Sequence, residues 1–167
     1  SAAEVCRRYQ NEGYDFLSLT EHFLGQYDYP IADTTPFQTE NFMTILGAEL
    51  HSGAMENGEL WHILAVGLPK DFKPSNSPEF YPIIDQETGP QIAQRAVEAG
   101  AFVTIAHPEW SVMSEADAAS ITSAHAVEVY NHGSEVECDR GRGLHTADLL
   151  LSSGRKLSFI ATDDAHF

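Results

Sequence analysis

Cysteine is scarce in this chain. Cys6 and Cys138 stand far apart and form no C-x-x-C pair, which excludes a disulfide framework and a cysteine zinc knuckle and points to reduced thiols in a cytoplasmic protein. Positive charge is scarce as well: nine Lys and Arg face 25 Asp and Glu, a net charge of -16. Such a surface repels phosphate backbones and anionic lipid, so no general nucleic-acid surface is expected. A small phosphorylated substrate stays compatible with it, because bound divalent cations invert the field locally. Long apolar runs are missing too. No stretch reaches the roughly 18 residues that a membrane span needs, and the opening "SAAEVCRRYQ" has no signal-peptide core. No membrane partner is expected, and nothing in the composition fixes the oligomeric state.

What is present suffices for one domain covering 1–167, with 43% hydrophobic residues to build a core. One unit recurs three times: a helical stretch, a glycine, then an apolar run ending on a histidine or carboxylate. The copies are "EVCRRYQNEG" with "YDFLSLTEH", "PQIAQRAVEAG" with "AFVTIAHPEW", and "LHTADLLLSSG" with "RKLSFIATDDAH". Gly13, Gly100 and Gly154 suit the left-handed position that stops a helix. The near-continuous apolar runs after them read as parallel strands covered on both faces.

Three more strands are expected in "FMTILGAELH", "WHILAVGL" and "AVEVYNHG", with a helix over "SEADAASITSAHA" capped by Ser114. The proline-rich "PKDFKPSNSPEFYP" reads as a surface loop. Alternating strands and helices make an α/β sheet or barrel of βα units. In such folds the C-terminal strand ends form the site, which would gather His22, Glu49, His107 and the Asp164/His166 pair.

Histidine and carboxylates without cysteine form a ligand set suited to Zn, Mn or Fe. Residues two apart on an extended strand share a face, so Asp164 and His166 can enter one site while Asp163 points away. The same parity pairs Glu49 with His51, although His51 falls where the strand is expected to give way to a loop.

The ordered segments "LTEH" (19–22), "GAEL" (47–50), "WHILAVGL" (61–68), "IAHPEW" (105–110), "VEVYN" (127–131) and "ATDDAHF" (161–167) resemble the later motifs of the PHP family. This is the polymerase and histidinol phosphatase superfamily of metal-dependent phosphoesterases. The resemblance spans essentially the whole chain and implies a distorted seven-stranded β/α barrel holding two or three divalent metal ions. By it, His22, Glu49, His62, His107, Asp164 and His166 are metal ligands, with Glu49 bridging ions and Glu49 and Asp164 as the catalytic carboxylates. Glu128 and Asn131 support the ligands without being ligands. Arg140 and Arg142 are the candidates for clamping a substrate phosphate, against the alternative of a solvated charged loop.

The family opens on a strand ending in H-x-H, and no H-x-H occurs in these 167 residues. The expectation is a chain lacking its first strand and cut short at both ends. The implied activity is hydrolysis of a phosphate ester by a metal-activated water. Two alternatives stand beside it: a non-catalytic PHP-like module with an incomplete metal site, and a metal-dependent C–N hydrolase.

Overall fold

The computed structural model describes residues 1–167. The chain forms seven strands, β1 (Phe16–Leu19), β2 (His22–Phe23), β3 (Met43–Ala54), β4 (Leu60–Val66), β5 (Phe102–Ile105), β6 (Ala126–Asn131) and β7 (Ser158–Thr162). Five helices accompany them, α1 (Ala2–Asn11), α2 (Gly89–Glu98), α3 (Glu115–Ser120), α4 (His132–Cys138) and α5 (Leu144–Ser152). All strands lie in one curled sheet of order β1-β3-β4-β5-β6-β7, with β2 also on β3. The fold is α/β, and the sheet is compatible with a partial barrel whose edges are β1 and β7.

The helix–glycine–strand unit is visible three times. Gly13, Gly100 and Gly154 take φ values of 88°, 95° and 90°. The next residue in each case donates its N–H to a carbonyl five positions back: Tyr14 to Tyr9, Ala101 to Ala96, Arg155 to Leu150. A residue with a Cβ pays for that left-handed turn, which is why glycine ends each helix.

Three expectations are corrected. The sheet is mixed, since β4 runs antiparallel to both β3 and β5. The reversal is made by the Asn57–Gly58 turn, with Gly58 at φ 86° and its N–H on the Met55 carbonyl at 3.0 Å. Second, β3 does not yield to a loop at His51 but continues to Ala54, because pairing with β4 satisfies its backbone groups that far. Third, the helix expected over 114–126 is only Glu115–Ser120. Its Ser114 cap is present, accepting the Asp117 N–H at 3.0 Å, but the Ser120 hydroxyl donates to the Asp117 carbonyl at 2.6 Å and competes with continuation of the helix.

The core lies where the central strands meet α2 and α5, and includes Leu50, Ile63, Ile92, Val103, Ile105, Ile121, Val127 and Leu150. Each such side chain contributes about 1.5–3 kcal/mol by leaving water. The proline-rich loop covers one flank, with Phe72 against Phe23 and beneath the Arg95 guanidinium. No helix is long and apolar enough to cross a membrane.

Candidate metal centre

Parallel strands bring their C-terminal ends to one edge of the sheet, and the reversed β4 brings its beginning there. His22 opens β2, Glu49 and His51 lie late in β3, and His62 is the third residue of β4. The reversal explains why a histidine at a strand's start joins residues at the ends of others. His51 and His62 are direct partners across β3 and β4, and His22 lies beside Glu49.

Glu49 is the centre of the cluster. Its Oε1 accepts from His62 Nδ1 at 2.8 Å and from His107 Nε2 at 3.0 Å, while its Oε2 lies 2.8 Å from His22 Nδ1 and 3.9 Å from His51 Nε2. His22 Nδ1 and His51 Nε2 are themselves 3.0 Å apart. One carboxylate thus divides two trios, His22–Glu49–His51 and Glu49–His62–His107, each compact enough to hold an ion. Glu49 has only histidine partners, with no Lys or Arg. A buried carboxylate ringed by four imidazoles is a donor set that fits a divalent cation.

The electrostatics follow from that ring. Burial works to raise the Glu49 pKa but is outweighed by the His62 charge and by hydrogen bonds from His107, His22 and His62, which hold the carboxyl well below its ordinary range. Burial likewise works to lower His22 and His107, and the Glu49 hydrogen bonds and charge overcome it, so both are raised. His51 goes the other way. Fully buried, it is driven by desolvation down to about 3 and stays neutral.

Asp164 and His166 reach the cluster from the segment after β7. His166 donates Nδ1–H to the Asp164 carbonyl at 3.0 Å, which turns its Nε2 toward His22 Nε2, 3.3 Å away. Asp164 Oδ2 accepts from Asn131 Nδ2 at 3.1 Å. Asp163 is exposed and accepts a hydrogen bond from the Tyr9 hydroxyl of α1. The extended strand expected to carry the Asp164/His166 pair ends at Thr162, and Asp164 turns at φ 48°, so strand parity does not set these directions.

Glu128 is buried beneath these groups. Its Oε2 accepts from the His107 backbone N–H at 2.6 Å and from Asn131 Nδ2 at 3.1 Å, and its Oε1 from the Thr162 hydroxyl at 2.6 Å. That support matters because His107 holds φ at 22°, a strained value for a residue with a side chain. Ser111 Oγ lies 3.1 Å from His107 Nδ1 and fixes the ring's other side.

A cavity of about 850 Å³ opens beside the cluster. His22, Glu49, His62, His107, Asp164 and His166 all line it, so all six expected ligands meet there; Glu128 and Asn131 lie behind the wall. Arg140 is the one Lys or Arg in the lining. Arg142 is elsewhere, largely exposed, with its guanidinium on Glu135 at 3.1 Å. Sequence reasoning left out His51, Ser111, Trp110 and Phe80. His51 had a signal in its parity with Glu49, and the Asn57–Gly58 pair between two apolar runs marked the hairpin that keeps it in a strand.

No family profile matches the chain, and no curated protein does. Solved structures do, among them the following three. A two-domain protein from Bacteroides vulgatus, described as containing a predicted PHP-like metal-dependent phosphoesterase, aligns over 99% of this chain and 47% of its own at 22% identity, with a TM-score of 0.62. A proposed metal-dependent phosphoesterase from Bifidobacterium adolescentis aligns over 100% of this chain and 82% of its own at 12% identity, TM-score 0.69. These two neighbours in fold are thus described as metal-dependent phosphoesterases, the Bacteroides protein as PHP-like. A third neighbour is named differently. It is an amidohydrolase from Chromobacterium violaceum with sulfate bound and no metal, covering 99% of this chain and 82% of its own at 13% identity, TM-score 0.69. At these identities the likeness is one of fold. The chain spans about half the length of the Bacteroides protein.

Proposed function

We propose that this chain carries the metal centre of a hydrolase that cleaves phosphate esters. The observation that supports it most is Glu49, whose two buried oxygens face separate histidine pairs at the wall of an open cavity. His22, Glu49 and His51 would hold one divalent ion, and Glu49, His62 and His107 a second, with Asp164 and His166 closing the site beside His22. Zn, Mn and Fe all suit the donors. The chemistry such ions supply is a water acidic enough to act as a nucleophile near neutral pH, together with neutralised phosphoryl oxygens.

The protein's own groups do the rest. Glu49 stays ionised across the working range and orients three imidazoles at once. Glu128 holds the His107 backbone and Ser111 its ring, so the donors do not have to reorganise when substrate arrives. Arg140 offers a forked donor to the phosphate across the cavity. For a monoester, hydrolysis joins the water oxygen to phosphorus and breaks the bond between phosphorus and the alcohol oxygen; the alcohol leaves with a proton from that water, and inorganic phosphate remains.

The test is turnover of a panel of phosphomonoesters, phosphodiesters and amides by the full-length protein, metal-stripped and then reloaded with Mn²⁺ or Zn²⁺. Metal-dependent release of phosphate is expected. The C–N reading, favoured by the amidohydrolase among the neighbours, predicts amide cleavage instead. Metal binding with no turnover of either class overturns both and leaves a binding module.

A further inference from the structure

The cavity beside the histidines is lined by two unlike kinds of group. One kind of lining is the metal-facing donors with Arg140; the other is apolar, from Met55, Leu60, Phe80, Trp110 and Val112. The two aromatic rings flank the cluster on opposite halves. Trp110 packs edge-on against His62 and His107 at 5.3 and 4.9 Å, and Phe80 against His22 at 4.8 Å and His51 at 5.7 Å. Both rings remain open to solvent, 39% for Trp110 and 48% for Phe80, and Val112 beside them is 59% exposed. Exposed apolar residues scattered singly need no explanation, but here three share the wall of one cavity otherwise rich in ionisable groups.

Charge narrows the occupant further. Apart from the proposed ligands, the charged groups in the lining are Glu59, Glu137 and Arg140. Two carboxylates against one guanidinium leave no cation for a second phosphate once Arg140 is engaged, and they repel an anionic leaving group.

We propose that the site selects phosphomonoesters whose alcohol part is an uncharged, flat apolar group, seated between Trp110 and Phe80. This rests on the phosphoester reading above and adds the substrate class. The ring is held by burial and by edge or face contact with the two aromatic side chains, and the single phosphate lies toward Arg140 and the histidines.

The test compares benzyl phosphate with glycerol 3-phosphate, whose leaving alcohols have similar acidity, and with the bisphosphate of benzene-1,4-dimethanol, all on the Mn²⁺-loaded full-length protein. Benzyl phosphate is expected to exceed both in kcat/KM by roughly tenfold or more, a preference of the size one buried aromatic ring supplies. Trp110→Ala and Phe80→Ala should each shrink that ratio. Independently of turnover, benzylphosphonate should alter the fluorescence of Trp110, against the constant background of buried Trp61. Turnover with equal or reversed preference, or benzylphosphonate with no fluorescence response, overturns this proposal and leaves the phosphoester reading intact. Absence of turnover on every phosphoester overturns both.

Discussion

His51 and His62 face each other as direct partners across the antiparallel β3–β4 pair, their rings edge to face with centroids 4.3 Å apart. They belong to different trios, His51 with His22 and His62 with His107, and Glu49 is common to both. The two proposed ion positions are therefore separable by mutation. His51→Ala should remove one equivalent of bound metal and His62→Ala the other, while Glu49→Gln removes both, as read by elemental analysis after dialysis. Glu49→Gln should also lower kcat/KM on the order of a thousandfold, the loss of several kcal/mol of charge stabilisation. Full retention of metal by Glu49→Gln would refute the shared-carboxylate geometry.

The metal-free protein should be most stable near pH 6.5. His22 and His107 are raised, so their contribution is complete below about 6.5 and is lost as pH climbs through their folded values. His51 is depressed to about 3, so below about 6.5 the unfolded chain takes up a proton that the folded one refuses, and stability falls with pH. Glu49 is also depressed, and its contribution disappears at more acidic pH still, below about 4.5. Thermal melts of stripped protein from about pH 4 to 9 test this; a monotonic profile contradicts it. Added metal should restore the alkaline limb, because it takes the place of the protons.

Glu128 offers a contrast between support and ligation. Glu128→Ala leaves the His107 N–H, the Asn131 amide and the Thr162 hydroxyl without their acceptor and should cost about 1–3 kcal/mol for each group left unsatisfied and buried. Glu128→Gln should be mild, because the Thr162 hydroxyl can accept from the new amide. Denaturant midpoints and metal affinity together distinguish the two variants: a ligand would lose metal in both.

Tyr9 and Asp163 tie α1 to the segment that delivers Asp164 and His166. On its other side that segment is held by the Gly133 N–H, which donates to the Asp163 carbonyl at 2.9 Å. Tyr9→Phe removes one hydroxyl and should lower Tm by about 2–4 °C, as expected for ~1 kcal/mol in a domain of this size. Amide exchange should accelerate in 163–167 and stay unchanged in β4; uniform acceleration would refute a local tie.

Much of this site was legible because strand ends announce themselves. His22, Glu49, His107, Asp164 and His166 close or follow apolar runs, and an α/β sheet gathers such ends. His62 resisted the same logic. An apolar run reveals a strand but not its direction, and only the turn at Asn57–Gly58 shows that β4 is reversed. His51 was hidden by a boundary: strand length depends on the partner strand, a non-local property. Trp110, Phe80 and Ser111 lie in connections, where side-chain placement follows from the closed structure and leaves no period in the sequence. The PHP resemblance pointed to His62 where spacing could not.

The β3–β4 hairpin also bears on the order in which the molecule assembles. Glu49, His51 and His62 lie within thirteen residues of one another, on two strands joined by a tight turn. Closing so short a loop is fast and costs little chain entropy, whereas His22, His107 and His166 must arrive from distant parts of the chain. A single hairpin can therefore present three donors before the rest of the sheet is in place. Metal added during refolding meets a nascent grip, and the order of addition of ion and denaturant becomes a handle on the folding route.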